Sequence, residues 1–178
     1  MKAKKWLMFW IILLGGSGVI ASYLWGFLSY PNAEQALWGG VPGNIRPFYT
    51  TGMLLGAAGF FAFTYFILFR LVPHEVSIGG RLGFSLFFPI FLVILIPSAL
   101  WMPLTNVYVG NQSTGTWIAV RTVLVLVGLA SIALVWALLS LHSKNHGIAY
   151  WLAVAGSGYF AFHTAILDAI VWAALFRQ

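Results

Sequence analysis

Ile90-Phe91-Leu92-Val93-Ile94-Leu95-Ile96 decides the fold. Seven consecutive apolar residues leave no polar face at the two-residue period of a strand or the 3.6-residue period of a helix. Whatever this segment forms is apolar all round. It lies within 82–120, a stretch without a charged residue, and four more such stretches run over 6–33, 47–69, 122–143 and 145–167. A helix crossing about 30 Å of hydrocarbon needs about 20 such residues. The alternating pattern of a β-barrel is absent from them. The chain therefore reads as an all-α integral membrane protein, a five-transmembrane-helix bundle forming a single membrane domain over 1–178. The spans are expected at 6–28, 49–70, 83–102, 116–141 and 148–176. Pro89 and Pro97 are expected to bend the third span and Pro103 to end it. The first span follows Lys2, Lys4 and Lys5, but its apolar run exceeds the ~7–15 residues of a leader's core. It reads as a membrane helix.

Composition agrees and narrows the function. Of 178 residues 61% are hydrophobic and 7% charged, against about 25% charged in soluble domains. The absence of cysteine removes disulfides, thiolate zinc sites, iron–sulfur clusters and CxxCH haem attachment. Three carboxylates, Glu34, Glu75 and Asp168, are too few for paired-carboxylate hydrolysis or an oxygen-ligated metal cage. No nucleophile–base pair is visible, so no catalytic residue is assigned and a non-enzymatic role is expected. His142 and His146 have the i, i+4 spacing of a metal pair, but Ser143, Lys144, Asn145 and Gly147 read as a solvated loop. No metal site is assigned. The net charge of +6 sits between apolar spans; it marks lipid headgroups and topology rather than nucleic acid. Lys2, Lys4, Lys5, Arg70, Arg81 and Lys144 fall on one side and Arg46, Arg121 and Arg177 on the other. That bias predicts a cytoplasmic N-terminus and an outside C-terminus.

Tryptophans and intramembrane polar groups suggest where a site would be. Trp6, Trp10, Trp136 and Trp151 fall near the N-terminal side; Trp25, Trp101, Trp117 and Trp172 fall near the other, with Trp38 in the first loop. An interfacial belt accounts for most of them. The first loop, 29–48, carries Pro31, Gly39, Gly40, Pro42 and Pro47 and is the natural lid of a pocket on its side. Arg121 and Asp168 fall at comparable depth in spans 4 and 5, and a clamp between them is expected. At about 100° per α-helical residue, His163 lies about 140° around the helix from Asp168. The two are expected on different faces, with His163 hydrogen-bonded to a neighbouring helix. Ser157, Ala161, Ala165, Ala169 and Ala173 form a small-residue seam at i, i+4. Gly52, Gly56 and Gly59 form a second small face, suited to tight internal packing or to a homodimer contact.

Spans 3 to 5 carry a resemblance. Ser98-Ala99-Leu100-Trp101-Met102-Pro103 closes a helix on a Trp, Trp117-Ile118-Ala119-Val120-Arg121 opens the next, and Trp136 follows fifteen residues on. Leu167-Asp168-Ala169-Ile170-Val171-Trp172 ends the last span, with Phe160 eight residues before Asp168. Over roughly 95–172 this resembles the TspO/translocator protein family, the tryptophan-rich sensory proteins. Ser98 and Asp168 stand where that family has Asn, and Arg121 where it has Asp. The family's Pro-x-Trp-x-Pro-Pro run in the first loop is absent.

The resemblance implies a TspO-like five-helix bundle, commonly homodimeric, with a pocket between helices under the first loop. It implies ligands that are porphyrins or sterol-like hydrophobic molecules, with no covalently bound cofactor. The ligand-binding set is then Trp38, Phe48, Ser98, Trp101, Arg121, Phe160, Asp168 and Trp172, with Arg121 available to a propionate. The expected partners are the bilayer, such a hydrophobic ligand, and a second copy or a membrane-complex subunit. A scaffold or accessory subunit using the two small-residue faces is the alternative. A transporter or proton path would call for more intramembrane polar groups than Arg121, His163 and Asp168.

Overall fold

A computed structural model describes residues 2–29, 33–142 and 147–176. Helix α1 is Lys2–Ser29, and the short α2 is Ala33–Trp38. Helix α3, Arg46–Tyr65, runs on into a π-helical turn over Phe66–Arg70. A 3₁₀ turn at Phe84–Leu86 leads into α4, Phe87–Gly110, and α5 is Thr114–Leu139. Helix α6, Ile148–Ala161, continues as a π-helix over Phe162–Trp172 and ends in α7, Ala173–Leu175. The fold is all-helical. Five of these helices are long and apolar enough to cross a membrane: Lys2–Ser29, Arg46–Arg70, Phe84–Gly110, Thr114–Leu139 and Ile148–Leu175.

Packing sets the order of the helices. Helix α4 lies between α1 and α5, α5 lies against α6 and its π-helical continuation, and α6 packs along α3. The order around the bundle is therefore α1, α4, α5, α6, α3. Helices α1 and α3 end the series without packing along one another. Two buried clusters fill the interior. One joins Phe63, Phe66, Phe84, Phe87, Phe91 and Leu134 near the turn after α3. The other joins Tyr49, Tyr108, Trp117, Leu167, Trp172 and Phe176 near the first loop.

The third span departs from expectation. Helix α4 passes through both Pro97 and Pro103 and ends at Gly110. A proline leaves the carbonyl four residues back without its amide donor, here those of Val93 and Ala99, and hydroxyls near both prolines bond back to other carbonyls of the same turns. Ser98 donates to the Ile94 carbonyl at 2.7 Å and Thr105 to the Trp101 carbonyl at 2.8 Å. Pro89 sits in the first turn, where a missing N–H costs little. Where a solvated loop was expected, His142 is exposed and its amide donates to the Ser77 carbonyl at 2.9 Å; His146 and the topological markers Lys144 and Arg177 lie outside the described residues.

Both small-residue faces are used inside the chain. A Cβ on Gly59 would collide with the Gly156 carbonyl oxygen, and one on Gly156 would come within 2.8 Å of Gly59 Cα. Helices α3 and α6 thus cross backbone to backbone. On the seam of the fifth span, Ala165 abuts Gly128 of α5, where an added Cβ would meet Ala165 Cα at 2.9 Å. Gly59→Ala is therefore expected to destabilise the protein by about 1–3 kcal/mol. It should read as a lowered midpoint of thermal unfolding in detergent. Gly18→Ala, where a Cβ meets nothing within 4 Å, should leave the midpoint unchanged or raise it.

Candidate functional site

The first loop is tied to the bundle by specific bonds. Trp172 donates its indole N–H to the Leu37 carbonyl at 3.0 Å, and Tyr49 donates its hydroxyl to the Leu167 carbonyl at 2.9 Å. Arg46 donates Nε–H to the Val41 carbonyl at 3.1 Å and lays its guanidinium over the Trp38 ring, 5.5 Å from the centroid. Gly39 has φ +49°, and a Cβ there would press into Phe176 at 2.6 Å. Only glycine fits that turn without strain.

Beneath this lid is a cavity of about 300 Å³. Tyr23 and Phe27 of α1, Leu37 and Trp38 of α2, and Tyr49 and Met53 of α3 form one part of its wall. Trp101 and Met102 of α4, Leu124 of α5, and Asp168 and Trp172 of the π-helical segment complete it. The rings pack on one another: Trp101 on Trp172 at 5.5 Å and Trp38 on Tyr49 at 6.1 Å edge to face, and Tyr23 on Trp101 at 5.7 Å with the planes tilted by 34°. Phe27 and Met53, from the two helices that do not pack together, are 48% and 42% exposed. The wall is therefore thinnest on the flank between α1 and α3.

Asp168 is the one carboxylate of the cavity wall among the described residues. Its Oδ1 lies 3.6 Å from His163 Nε2, which corrects the expectation that the two face apart. In a π-helix the backbone bonds close from i to i+5, so residues five apart come round to nearly the same side. The expected angle assumed α-helical turns. His163 is buried, with Nδ1 unpartnered, and the ring fits against α3 because residue 52 is glycine. A Cβ on Gly52 would lie 2.9 Å from His163 Nδ1.

The expected Arg121–Asp168 clamp is absent. Arg121 is exposed and makes no ion pair with Asp168. It belongs to the outward stripe Ile118, Arg121, Val125, Leu129, Ile132 and Trp136, and its long stem can carry the charge toward the interface.

Of the eight residues picked out in the sequence, Trp38, Trp101, Asp168 and Trp172 line the cavity. Phe48 is 57% exposed and directed away. Its neighbour Tyr49 is the one turned inward, because α3 begins at Arg46 and one residue rotates the helix by about 100°. Ser98 is occupied with the Ile94 carbonyl. Phe160 packs on Phe60 and Phe63 in the other cluster. Tyr23, Phe27, Met53, Met102 and Leu124 had no signal in the sequence beyond being apolar or aromatic within a span. The tryptophans divide likewise: Trp6, Trp10, Trp25, Trp136 and Trp151 are exposed, while Trp38, Trp101, Trp117 and Trp172 turn inward.

The fold and the cavity thus define an all-helical chain with five membrane-length helices and an aromatic chamber beneath its first loop. No family model, curated protein or solved structure matches the chain.

Two outcomes follow from this geometry. Trp172→Phe removes the donor to the Leu37 carbonyl, at a cost of about 1–3 kcal/mol. Hydrogen exchange at amides 36–41 should quicken relative to α5. Arg121→Gln should shift stability by no more than about 0.5 kcal/mol, read as an unchanged thermal midpoint.

Proposed function

We propose that this is a multi-pass membrane protein that binds a compact hydrophobic molecule in the chamber under its first loop. The observation that carries the reading is the cavity of about 300 Å³, walled by six aromatic rings and aliphatic side chains with one carboxylate. Ligand chambers are concave and mostly apolar, with a few placed polar groups, and begin at about this size. The resemblance to the TspO family implies a pocket in the same place, between helices and under that loop. The loop's bonds to Trp172 and Arg46 give ligand occupancy a route to the protein's outer surface, which suits a sensory role. Of the two ligand classes that the resemblance implies, the sterol-like one is favoured. Arg121, the cation that would receive a porphyrin propionate, is on the outward face of α5, and the chamber offers Asp168 instead. The scaffold alternative drew on the two small-residue faces, and Gly52, Gly59 and Ala165 are in contact within the chain.

Titration of the purified protein with dehydroergosterol, a fluorescent sterol excited by energy transfer from tryptophan, tests the reading. Saturable transfer is expected. Leu124→Phe, which fills the chamber, should weaken it by about tenfold or more. Protoporphyrin IX should compete weakly. The absence of saturation, or transfer indifferent to Leu124→Phe, would overturn the proposal.

Orientation belongs to the same proposal: the basic residues favour an N-terminus in the cytoplasm and a lid outside. The chain has no cysteine, so single cysteines report cleanly. In intact cells, Asn44→Cys in the first loop should react with an impermeant maleimide and Ser77→Cys should not. The reverse pattern would invert the topology.

A further inference from the structure

We infer that, within the hydrophobic class read above, the chamber prefers an organic cation: a sterol-like or aromatic apolar body carrying a protonated or quaternary amine that seats beside Asp168. The inference rests on the reading of the chamber as a ligand site and concerns the chemistry of what enters it.

Asp168 is set among Tyr23, Trp38, Tyr49, Trp101 and Trp172, with its side chain 28% exposed. No Lys or Arg among the described residues is paired with it. Its one partner able to carry positive charge is His163, at 3.6 Å. Tyr49 does not donate to it either, since its hydroxyl is given to the Leu167 carbonyl. An ionisable group at membrane depth is costly and calls for a partner. A charge left alone in an apolar site is costlier than one that is paired.

Three kinds of ligand meet this wall differently. An anionic ligand faces the Asp168 carboxylate and finds no guanidinium in the wall, because Arg121 is outside the chamber and Arg46, stacked on Trp38, does not line it. A neutral ligand fills the space and leaves the carboxylate as it was. A cation supplies the missing charge, and its remaining faces meet aromatic rings, whose negative π-surfaces attract ammonium and guanidinium groups. One of these rings already holds a cation from its other surroundings: the Arg46 guanidinium lies 5.5 Å from the Trp38 centroid. Carboxylate and aromatic box together make a site for an amine. The thin flank between Phe27 and Met53 lets an amphiphile enter with its apolar body toward the lipid.

A matched pair of probes tests this in detergent-purified protein. One is (naphthylmethyl)trimethylammonium; the other is its uncharged isostere, with a tert-butyl group in place of trimethylammonium. Naphthylacetate serves as the anionic control, and quenching of tryptophan emission reads binding. The cation should bind about tenfold or more tighter than the isostere, and naphthylacetate weakest. Asp168→Asn should abolish the cation's advantage and leave the isostere's affinity unchanged. Asp168→Glu, which keeps the charge, should retain part of the advantage, and His163→Gln should retain it or increase it. Equal binding of cation and isostere, or an advantage that survives Asp168→Asn, overturns the inference while the hydrophobic chamber stands. No saturable binding by any of the three overturns both. If Asp168→Asn fails to fold, the isostere comparison in the unaltered protein and in Asp168→Glu still decides.

Discussion

The arrangement of this protein depends on the winding of eleven residues. Phe162–Trp172 turn as a π-helix, and that one change of pitch brings His163 and Asp168 to the same side, 3.6 Å apart. It also decides where the end of the fifth span points. Asp168 and Trp172 both face the chamber, and Trp172 reaches the first loop through the Leu37 carbonyl. π-Helical turns are uncommon and concentrate at functional sites. Here the segment carries the chamber's one carboxylate among the described residues and the donor that holds its lid.

The surrounding helices supply what such a segment needs. Glycines let α3 approach: Gly59 meets Gly156 backbone to backbone, and Gly52 leaves the room His163 occupies. On the other side Gly128 of α5 accepts Ala165. Close contact on both flanks fixes the segment's rotation, since interfaces of small residues gain their energy from van der Waals contact at short range. The aromatic series Tyr23, Trp101, Trp172 and Phe176 then runs from α1 to the residue after α7. The chamber is the space this series leaves beneath the loop, where α1 and α3 part.

The five helices long and apolar enough to cross a membrane were legible because each needs only length and the absence of charge, and both are plain in a linear sequence. The end of α4 was not, because a proline removes one bond of the ladder and can bend a helix without ending it, and α4 continues through both Pro97 and Pro103. The site was legible in part. Trp38, Trp101, Asp168 and Trp172 could be picked out as polar or amphipathic groups near one end of the spans. Rotation about each helix axis could not be read where every face is apolar. Hence Phe48 was chosen where Tyr49 faces inward, and Arg121 was assigned to a clamp although it lies outside. The pairing of His163 with Asp168 required a helix type that no residue in 162–172 announces.

The central claim is that Asp168 is turned into the chamber beside His163, and one distance tests it most directly. Asp168 is the only aspartate in the chain, so aspartate carrying ¹³C at its carboxyl labels a single site. Solid-state NMR of the protein in bilayers can then recouple that carbon with ¹⁵Nε2 of His163. The account predicts a measurable dipolar coupling, as an Oδ1–Nε2 separation of 3.6 Å requires. Absence of that coupling, with the two side chains on the separate faces that α-helical winding would give them, would contradict it.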